Sequence, residues 1–172
     1  MSPTLPAGAT AGCQGLVHGH AGKGVARIGR RNLHCTPKQK KHAAMRLPFV
    51  NHIGLVIEEA AAGQSRCTLE VREIHMNSSG VVHGAVLFAL VDTGMGAALF
   101  STLDDEHACA TIEAKINYFK PVQRGTIVCT SELIHRSRNV ASLESGLVVN
   151  GELVARGFGT FSVFKRRAKE AA

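Results

Sequence analysis

The apolar run at residues 86–100, VLFALVDTGMGAALF, constrains the fold most, because it surrounds one carboxylate with aliphatic, aromatic and small residues. Such a carboxylate is ionised at a cost, protonated, or held by polar partners. Residues 81–103 are about long enough to cross a bilayer. Asp92 near the centre, worth roughly +2.5 to 3.5 kcal/mol on insertion scales, and His83 near one end argue against a membrane span. We therefore expect a helix that is buried on most sides by a sheet.

Two glycines in this run indicate close packing. Gly94 and Gly96 each cost a helix roughly 1 kcal/mol relative to alanine, so another element is expected to approach the helix there. Helical spacing also predicts one narrow face of mostly small residues around the carboxylate. Its members are Ala85, Ala89, Asp92, Gly96 and Phe100. This face has the shape of a slot for a thin chain or for a second helix.

The segments on both sides of the run have residue patterns typical of β-strands. FVNHIGLVIEEA and RCTLEVREIH are rich in β-branched residues and are separated by the turn-like AAGQS. After the run, ACATIEAKINYF alternates with a period of two and has one largely apolar face. TIVCTSELIHR, VASLESGLVV and LVARGFGTFSVF follow, the last two joined by Asn150-Gly151, a strong hairpin signal. Strands, one long helix and then an antiparallel meander predict an α+β fold.

Charge is distributed unevenly along the chain. The whole chain has 20 basic and 13 acidic residues, a formal net charge of +7. Residues 1–46 hold eight basic residues and no acidic one, whereas residues 47–164 hold eight basic and twelve acidic ones. This distribution argues against a nucleic-acid partner for the folded part. We predict a basic flexible extension at 1–46, one folded domain at 47–164 and a polar tail at 165–172.

Cysteine usage indicates a reducing compartment. The five cysteines are scattered, odd in number and without a CxxC pair, so neither a disulfide framework nor a zinc site is expected. Cys67, Cys109 and Cys129 lie in apolar strand patterns and are predicted to be buried and reduced. The cytoplasm fits this pattern best. The mitochondrion is the alternative if the basic extension is a transit peptide.

Three stretches carry a resemblance to a known family. NSSGVVHGAVLFALVDTGMGAAL, then ATIEAKINYFKPVQRG, then GELVARGFGTFSVF resemble the hotdog-fold acyl-CoA thioesterases of the phenylacetate-degradation (PaaI-like) type, over roughly residues 49–164. The resemblance implies a curved antiparallel sheet wrapped around one long helix. It also implies a homodimer that pairs again into a dimer of dimers. The implied reaction releases a free acid and coenzyme A, with no metal and no cofactor beyond the coenzyme A of the substrate.

The resemblance assigns roles to five residues. Asn77 matches the family's asparagine that contacts the thioester region or orients the water. His83 and Gly84 match its His-Gly pair at the start of the helix. Asp92 matches its catalytic acid, and Thr111 matches its hydroxyl residue.

Two positions depart from the family pattern. Ala85 stands where a second glycine follows His-Gly, which could narrow the site at the start of the helix. Ser137 stands where a glycine commonly precedes the basic residue near the nucleotide. Arg136 and Arg138 flank it and could bind the phosphates of coenzyme A by charge-assisted hydrogen bonds, or they could form a solvated rim.

These residue types suit thioester hydrolysis. The reaction passes through an oxyanion, which the unpaired backbone N–H of Gly84 at the first helical turn can stabilise. Asp92 can act as a general base on water or as a nucleophile, and the sequence leaves both open. Eight residues of helix separate Gly84 from Asp92 by about 12 Å. They can act on one thioester only if they come from two chains of an isologous dimer.

Each residue also has a plainer interpretation. Asp92 could cap a neighbouring backbone, and His83 could hold the loop before the helix. Asn77 could be a turn residue and Thr111 an ordinary strand residue.

For the whole chain, the main hypothesis is an acyl-CoA thioesterase for aromatic or medium-length acyl groups. The alternatives are a non-catalytic acyl-CoA-binding hotdog protein and a hotdog hydratase or dehydratase.

Overall fold

The computed structural model describes residues 47–166. The predicted extension at 1–46 and residues 167–172 of the predicted tail lie outside the described residues. The described chain forms two α-helices, one 3-10 turn and six β-strands. In chain order these are α1 (Pro48–His52), β1 (Leu55–Ala61), β2 (Gln64–Glu70), the 3-10 turn (Glu73–His75), α2 (Gly84–Phe100), β3 (His107–Tyr118), β4 (Thr126–Arg136), β5 (Val140–Val149) and β6 (Glu152–Lys165).

The start of the domain differs from the predicted strand. Pro48 occupies the first helical position of α1, where its fixed φ and missing N–H are favourable, so residues 48–52 form a short helix. The N–H of Ile53 still donates to the carbonyl of Phe49 (3.1 Å), and Gly54 follows with a φ of 72°. The turn at this glycine ends the helical segment, and the predicted strand begins only at Leu55.

The six strands form one antiparallel sheet in the order β1-β2-β4-β5-β6-β3. The predicted meander is therefore correct for β4, β5 and β6 but wrong for β3, which pairs with β6 instead of β4. The link between β3 and β4, residues 119–125, is too long for a two-residue hairpin. It is anchored at the start of α2, because the N–H of Val82 donates to the carbonyl of Val122 (2.7 Å).

Two tight hairpins fix the register of the neighbouring strands. Asn150 and Gly151 have φ values of 50° and 82°, so the predicted hairpin between β5 and β6 is confirmed. Ala62 and Gly63, with φ values of 51° and 82°, form the corresponding turn between β1 and β2. Both turns have the positive φ pair whose twist matches antiparallel strands.

A bulge in β3 changes which residues face α2. The pairing of β3 with β6 shifts between Thr111 and Glu113, where Ile112 is the extra residue. A bulge of this kind exchanges the two faces of a strand. As a result Thr111 and Tyr118, seven residues apart, both contact α2, although a regular strand would place them on opposite faces. The single apolar face predicted from strict alternation is wrong for this reason.

Helix α2 packs against all six strands, as the sequence predicted. Its buried side is built from Leu87, Leu90, Val91, Gly94, Met95, Ala97, Ala98 and Leu99. A face that includes Ala85, Phe88 and Asp92 remains exposed or half-buried. Within residues 47–166, no helix is both long and apolar enough to cross a bilayer.

Glycines bring α2 close to the sheet. A Cβ atom at Gly94 would lie 2.5 Å from Oγ of Ser131, and one at Gly157 would lie 2.4 Å from Cγ1 of Val91. The hydroxyl of Ser65 donates to the carbonyl of Gly94 (2.7 Å). The close approach expected from the sequence is therefore present at Gly94. It is not present at Gly96, where the nearest atom to a Cβ would be Cε1 of Phe161 at 4.0 Å.

The predicted burial of the cysteines holds for two of the three in the described chain. Cys67 and Cys129 are buried cross-strand neighbours in β2 and β4, whereas Cys109 is half-buried. Burial raises the pKa of Cys67 to about 12 and that of Cys129 to about 11. Both remain neutral thiols at physiological pH and behave as small apolar residues of the core.

Replacing Gly94 by alanine should destabilise the fold. The new Cβ atom meets Ser131, so we expect Gly94→Ala to lower the free energy of unfolding by about 1–3 kcal/mol. The matched control, Gly96→Ala, meets no such conflict within the chain and gains helix propensity, up to about 1 kcal/mol. Urea unfolding of both variants measures the difference. Equal effects of the two substitutions would show that close packing at Gly94 is unimportant.

Candidate active site

The carboxylate in α2 is held by the strand beside it. The hydroxyl of Thr111 on β3 donates to Oδ1 of Asp92 (2.7 Å). Asp92 is half-buried on the open side of the helix. Within residues 47–166 its second oxygen, Oδ2, accepts no hydrogen bond. The carboxylate is thus oriented from one side by a neutral donor and is free to accept a proton from the other.

The first turn of α2 is capped by the side chain of His83. Nδ1 of His83 accepts from the N–H of Ala85 (3.0 Å), and the carbonyl of His83 accepts from the N–H of Val86 (2.9 Å). The N–H of Gly84 lies between these two bonds and has no acceptor among the described residues. An unpaired N–H at the positive end of a helix dipole is a ready donor for an oxyanion.

Asn77 organises the loop before the helix. Its Oδ1 accepts from the N–H of Ser79 (2.9 Å) and from the N–H of Val81 (3.3 Å). A bridge between Met76 and Val82 closes the loop. The turn interpretation of Asn77 therefore holds for its oxygen, whereas its Nδ2 amide makes no hydrogen bond within residues 47–166.

Tyr118 is not among the site residues predicted from the sequence. Its hydroxyl donates to the carbonyl of Gly84 (3.0 Å), and its ring lies where a side chain at position 84 would project. Partial burial raises the pKa of Tyr118, so its hydroxyl remains a donor at neutral pH. Strict alternation along β3 placed Tyr118 on the largely apolar face and Thr111 on the other, and only the bulge brings both residues to α2. The available signal was that Tyr118 is the chain's single tyrosine.

His75 was also missed, because it was read as the end of a strand. It is buried in the 3-10 turn, where Nδ1 accepts from the N–H of Arg72 (2.9 Å) and Nε2 pairs with the carbonyl of Ile53 (2.8 Å). Its backbone carbonyl accepts from the N–H of His83 (2.8 Å). The carbonyl can only accept, so Nε2 carries the proton. His75 thereby ties α1 to the start of α2.

The predicted site residues fall into two groups in one chain. Asn77, His83 and Gly84 lie at the start of α2, whereas Asp92 and Thr111 lie beside its middle. At a rise of about 1.5 Å per residue, the eight residues between Gly84 and Asp92 separate the groups by about 12 Å along the helix.

The predicted coenzyme A contacts lie near the opposite end of α2. Nη1 of Arg136 donates to the carbonyl and to Oγ1 of Thr102, each at 3.3 Å. The hydroxyl of Ser137 donates to the carbonyl of Val140 (3.0 Å) and closes the turn between β4 and β5. Arg138 is exposed in this turn. Ala85, the fourth predicted substrate contact, is exposed on the first turn of α2, whereas Arg136 contacts Thr102 beyond the last turn.

The described residues contain no metal-binding cluster. No group of three or more His, Cys, Asp or Glu side chains in residues 47–166 is arranged to hold a metal ion. The polar groups of the site are one carboxylate, two hydroxyls, an imidazole, an amide and a backbone N–H. Such groups can move a proton and stabilise a developing negative charge.

Comparison with known proteins decides the family. The sequence profile of the thioesterase superfamily matches residues 79–153. A protein of Saccharolobus solfataricus, provisionally named an esterase, is 30% identical over 121 residues, which cover 70% of this chain and 80% of the relative. The chain belongs to the thioesterase superfamily.

A human relative and a solved bacterial structure support this assignment. Human acyl-coenzyme A thioesterase 13 is 28% identical to this thioesterase-superfamily chain over 106 residues, which cover 60% of the chain and 75% of the relative. The solved structure of a mutant of the phenylacetic acid degradation protein PaaI from Thermus thermophilus superposes with a TM-score of 0.63 at 28% identity, covering 67% of this chain and 97% of that one. The predicted PaaI-like resemblance and the hotdog fold are confirmed.

Removal of the His83 cap should cost stability. His83→Ala removes the side-chain acceptor of the Ala85 N–H at the helix N-terminus and leaves this N–H without a hydrogen bond. We therefore expect the substitution to lower the free energy of unfolding by about 1 kcal/mol. Asparagine is a good N-cap residue, and His83→Asn should retain most of the stability. Thermal unfolding distinguishes the two variants. Equal losses in both would contradict the capping role of the imidazole.

Proposed function

We propose that this chain hydrolyses acyl-CoA thioesters to a free acid and coenzyme A, at two identical sites shared across a homodimer. The observation that supports this most directly is the division of the site. An oriented carboxylate with one open oxygen lies about 12 Å along α2 from the unpaired N–H of Gly84. One thioester cannot contact both groups in one chain, so a second copy must supply the missing half.

The edge of the sheet supports a second copy. β3 is a twelve-residue edge strand that pairs only with β6 among the described strands. Long edge strands with an unpaired backbone readily pair with another chain. A two-fold axis beside β3 and α2 would set the two helices antiparallel, with Gly84 of one chain near Asp92 of the other. Two such dimers would then pair, as the family resemblance implies.

The chemistry follows from the positions of the groups. Asp92 either removes a proton from the attacking water or attacks the thioester carbonyl itself, and Thr111 keeps the carboxylate oriented in both routes. The carbonyl oxygen becomes an oxyanion that accepts from the N–H of Gly84, with the amide of Asn77 as a second donor. In the first route, collapse of the tetrahedral intermediate releases the free acid and expels the thiolate of coenzyme A, which takes up the proton that Asp92 removed from water. In the second route, expulsion of the thiolate leaves a mixed anhydride on Asp92, and water then hydrolyses this anhydride to the free acid, restores the carboxylate and supplies the proton of the thiol.

The open face of α2 supports an acyl group that is aromatic or of medium length. Small residues at Ala85, Ala89 and Gly96 leave room on both sides of Asp92, and apart from the chain neighbours of Gly96 and the backbone of its own helix, the nearest atom to a Cβ position there is Cε1 of Phe161 at 4.0 Å. Arg138 and the donors of Arg136 that Thr102 does not use would bind the phosphates of coenzyme A at the rim. No metal or additional cofactor takes part in the proposed reaction.

The arrangement of His83 favours hydrolysis over hydration or dehydration. A hydratase or dehydratase of this fold needs a histidine that acts with an acid around the acyl chain. Nδ1 of His83 accepts from the N–H of Ala85, so in the neutral ring Nε2 carries the proton and has no lone pair with which to remove another. A coenzyme A release assay with a panel of acyl-CoA substrates tests the proposal. Binding without release would instead identify the non-catalytic alternative.

Asp92→Asn should abolish most of the turnover. Asparagine keeps the shape and the oxygen that accepts from Thr111, but it cannot remove a proton or form an acyl intermediate. We expect the rate of coenzyme A release to fall at least about a hundredfold while thermal stability and dimerisation stay close to the wild type. Near-normal kcat in a correctly folded Asp92→Asn protein would exclude Asp92 from the mechanism.

Mixing two inactive chains should restore activity. Gly84 occupies the first helical position, where proline is well accepted, so Gly84→Pro removes the N–H and keeps the helical backbone, although its Cβ atom would lie 3.1 Å from Oη of Tyr118. Gly84→Ala adds a Cβ atom but keeps the N–H and is the matched control. After random subunit exchange with Asp92→Asn chains, mixed dimers have one intact site, and about a quarter of wild-type activity should return. No recovery despite demonstrated exchange would refute the shared site.

A further inference from the structure

One peptide unit at the start of α2 is held at both of its polar ends. The N–H of Ala85 donates to Nδ1 of His83 (3.0 Å), and the carbonyl of Gly84 accepts from the hydroxyl of Tyr118 (3.0 Å). These two groups belong to the same planar peptide, between Gly84 and Ala85. A side chain from before the helix and a side chain from β3 therefore fix the orientation of this plane together.

The preceding peptide is fixed as well. The carbonyl of His83, which belongs to the same peptide as the N–H of Gly84, accepts from the N–H of Val86 (2.9 Å). One peptide earlier, the N–H of His83 donates to the carbonyl of the buried His75 (2.8 Å). The unpaired N–H of Gly84 thus projects from a residue that is constrained on both sides. Glycine has the largest backbone freedom of any residue, so these external contacts must supply the rigidity that the residue itself lacks.

The ring of Tyr118 occupies the space beside Gly84. A Cβ atom at position 84 would lie 3.1 Å from Oη and 3.2 Å from Cζ of this ring. The tyrosine is 51% exposed, so it lies at the surface beside the unpaired N–H and is not part of the apolar core. Its hydroxyl bond to the helix is therefore not needed to satisfy a buried polar group, which leaves orientation of the Gly84–Ala85 peptide as its structural consequence.

We propose that Tyr118 is a positioning residue: with His83 it holds the Gly84–Ala85 peptide, which is joined through Cα of Gly84 to the His83–Gly84 peptide, so that the N–H of Gly84 in this second peptide stays directed at the thioester oxygen. This proposal rests on the proposed role of Gly84 as oxyanion donor. The oxyanion develops only in the transition state, so an N–H that points at the thioester oxygen raises kcat and affects substrate binding little. The bulge at Ile112 is what brings Tyr118 to this face of β3.

Tyr118→Phe is the direct test, because it keeps the ring against Gly84 and removes only the hydroxyl. Loss of one neutral hydrogen bond predicts a fall in kcat of between about twofold and about tenfold, with KM nearly unchanged. In a Gly84→Pro background the same substitution should change the residual kcat no further, because the N–H that it positions is gone. An equal loss in both backgrounds would assign Tyr118 a general structural role and overturn the proposal.

A second measurement tests, without turnover, whether Tyr118 and His83 hold the Gly84–Ala85 peptide; the two hydrogen bonds to this peptide are called the clamp below. Amide hydrogen exchange, followed by NMR in the full-length protein, should show faster exchange at Ala85, whose N–H donates to His83, in Tyr118→Phe than in the wild type. Unchanged exchange at Ala85 would overturn the proposal even for a protein without activity. Wild-type kcat in Tyr118→Phe, with Asp92→Asn still inactive, would refute the clamp and leave the thioesterase function intact. A wild-type protein that releases no coenzyme A from any acyl-CoA would refute the proposed reaction, and amide exchange at Ala85 would then test only whether Tyr118 holds the Gly84–Ala85 peptide.

Discussion

Close contact between α2 and the sheet is the constraint on which the site depends. Glycines on both sides of the contact, Gly94 in the helix and Gly157 in β6, leave out the Cβ atoms that would hold the two layers apart. The hydroxyl of Ser65 in β2 also links the sheet to the helix by donating to the carbonyl of Gly94. A helix seated this deeply buries one side completely and leaves one face open. The carboxylate of Asp92 can exist in so apolar a helix because it lies on that open face.

Asp92 also shows how a polar group is maintained at the edge of an apolar core. A half-buried carboxylate loses part of its hydration, and one hydrogen bond from Thr111 offsets some of that cost. The bond is made by a residue of β3, so the position of the acid is coupled to the edge of the sheet. Anything that moves β3, including a partner chain paired with its free edge, therefore also acts on the orientation of the carboxylate.

The sequence was sufficient to predict the elements but not all of their partners. The long helix, the hairpin at Asn150-Gly151 and the last four strands follow from periodicity and local turn chemistry, which are properties of neighbouring residues. The pairing of β3 with β6 is a long-range choice that no local pattern encodes. α1 was mistaken for a strand because its apolar residues outweighed the signal of Pro48 at a helix start.

The site was predictable to a similar degree. Asp92 stood out because its surroundings are apolar, and Gly84 stood out through the family motif and its place at the helix start. The common position of Thr111 and Tyr118 beside α2 was missed because one inserted residue, Ile112, reverses the alternation along β3 and brings together two residues that strict alternation separates. Bulges arise from the fit of two strands in three dimensions. A contact that depends on a bulge is therefore visible in the structure and hidden in the pattern of a single strand.

Separation of the two halves along α2 has a chemical advantage. A carboxylate beside the first turn of its own helix would accept the unpaired N–H of Gly84 itself, as acidic residues commonly do at helix N-termini. The donor would then be occupied before any substrate arrived. A distance of about 12 Å along the helix prevents this pairing within one chain. In the proposed dimer the acid and the donor face each other across the substrate, so the thioester carbonyl becomes the acceptor that lies between them.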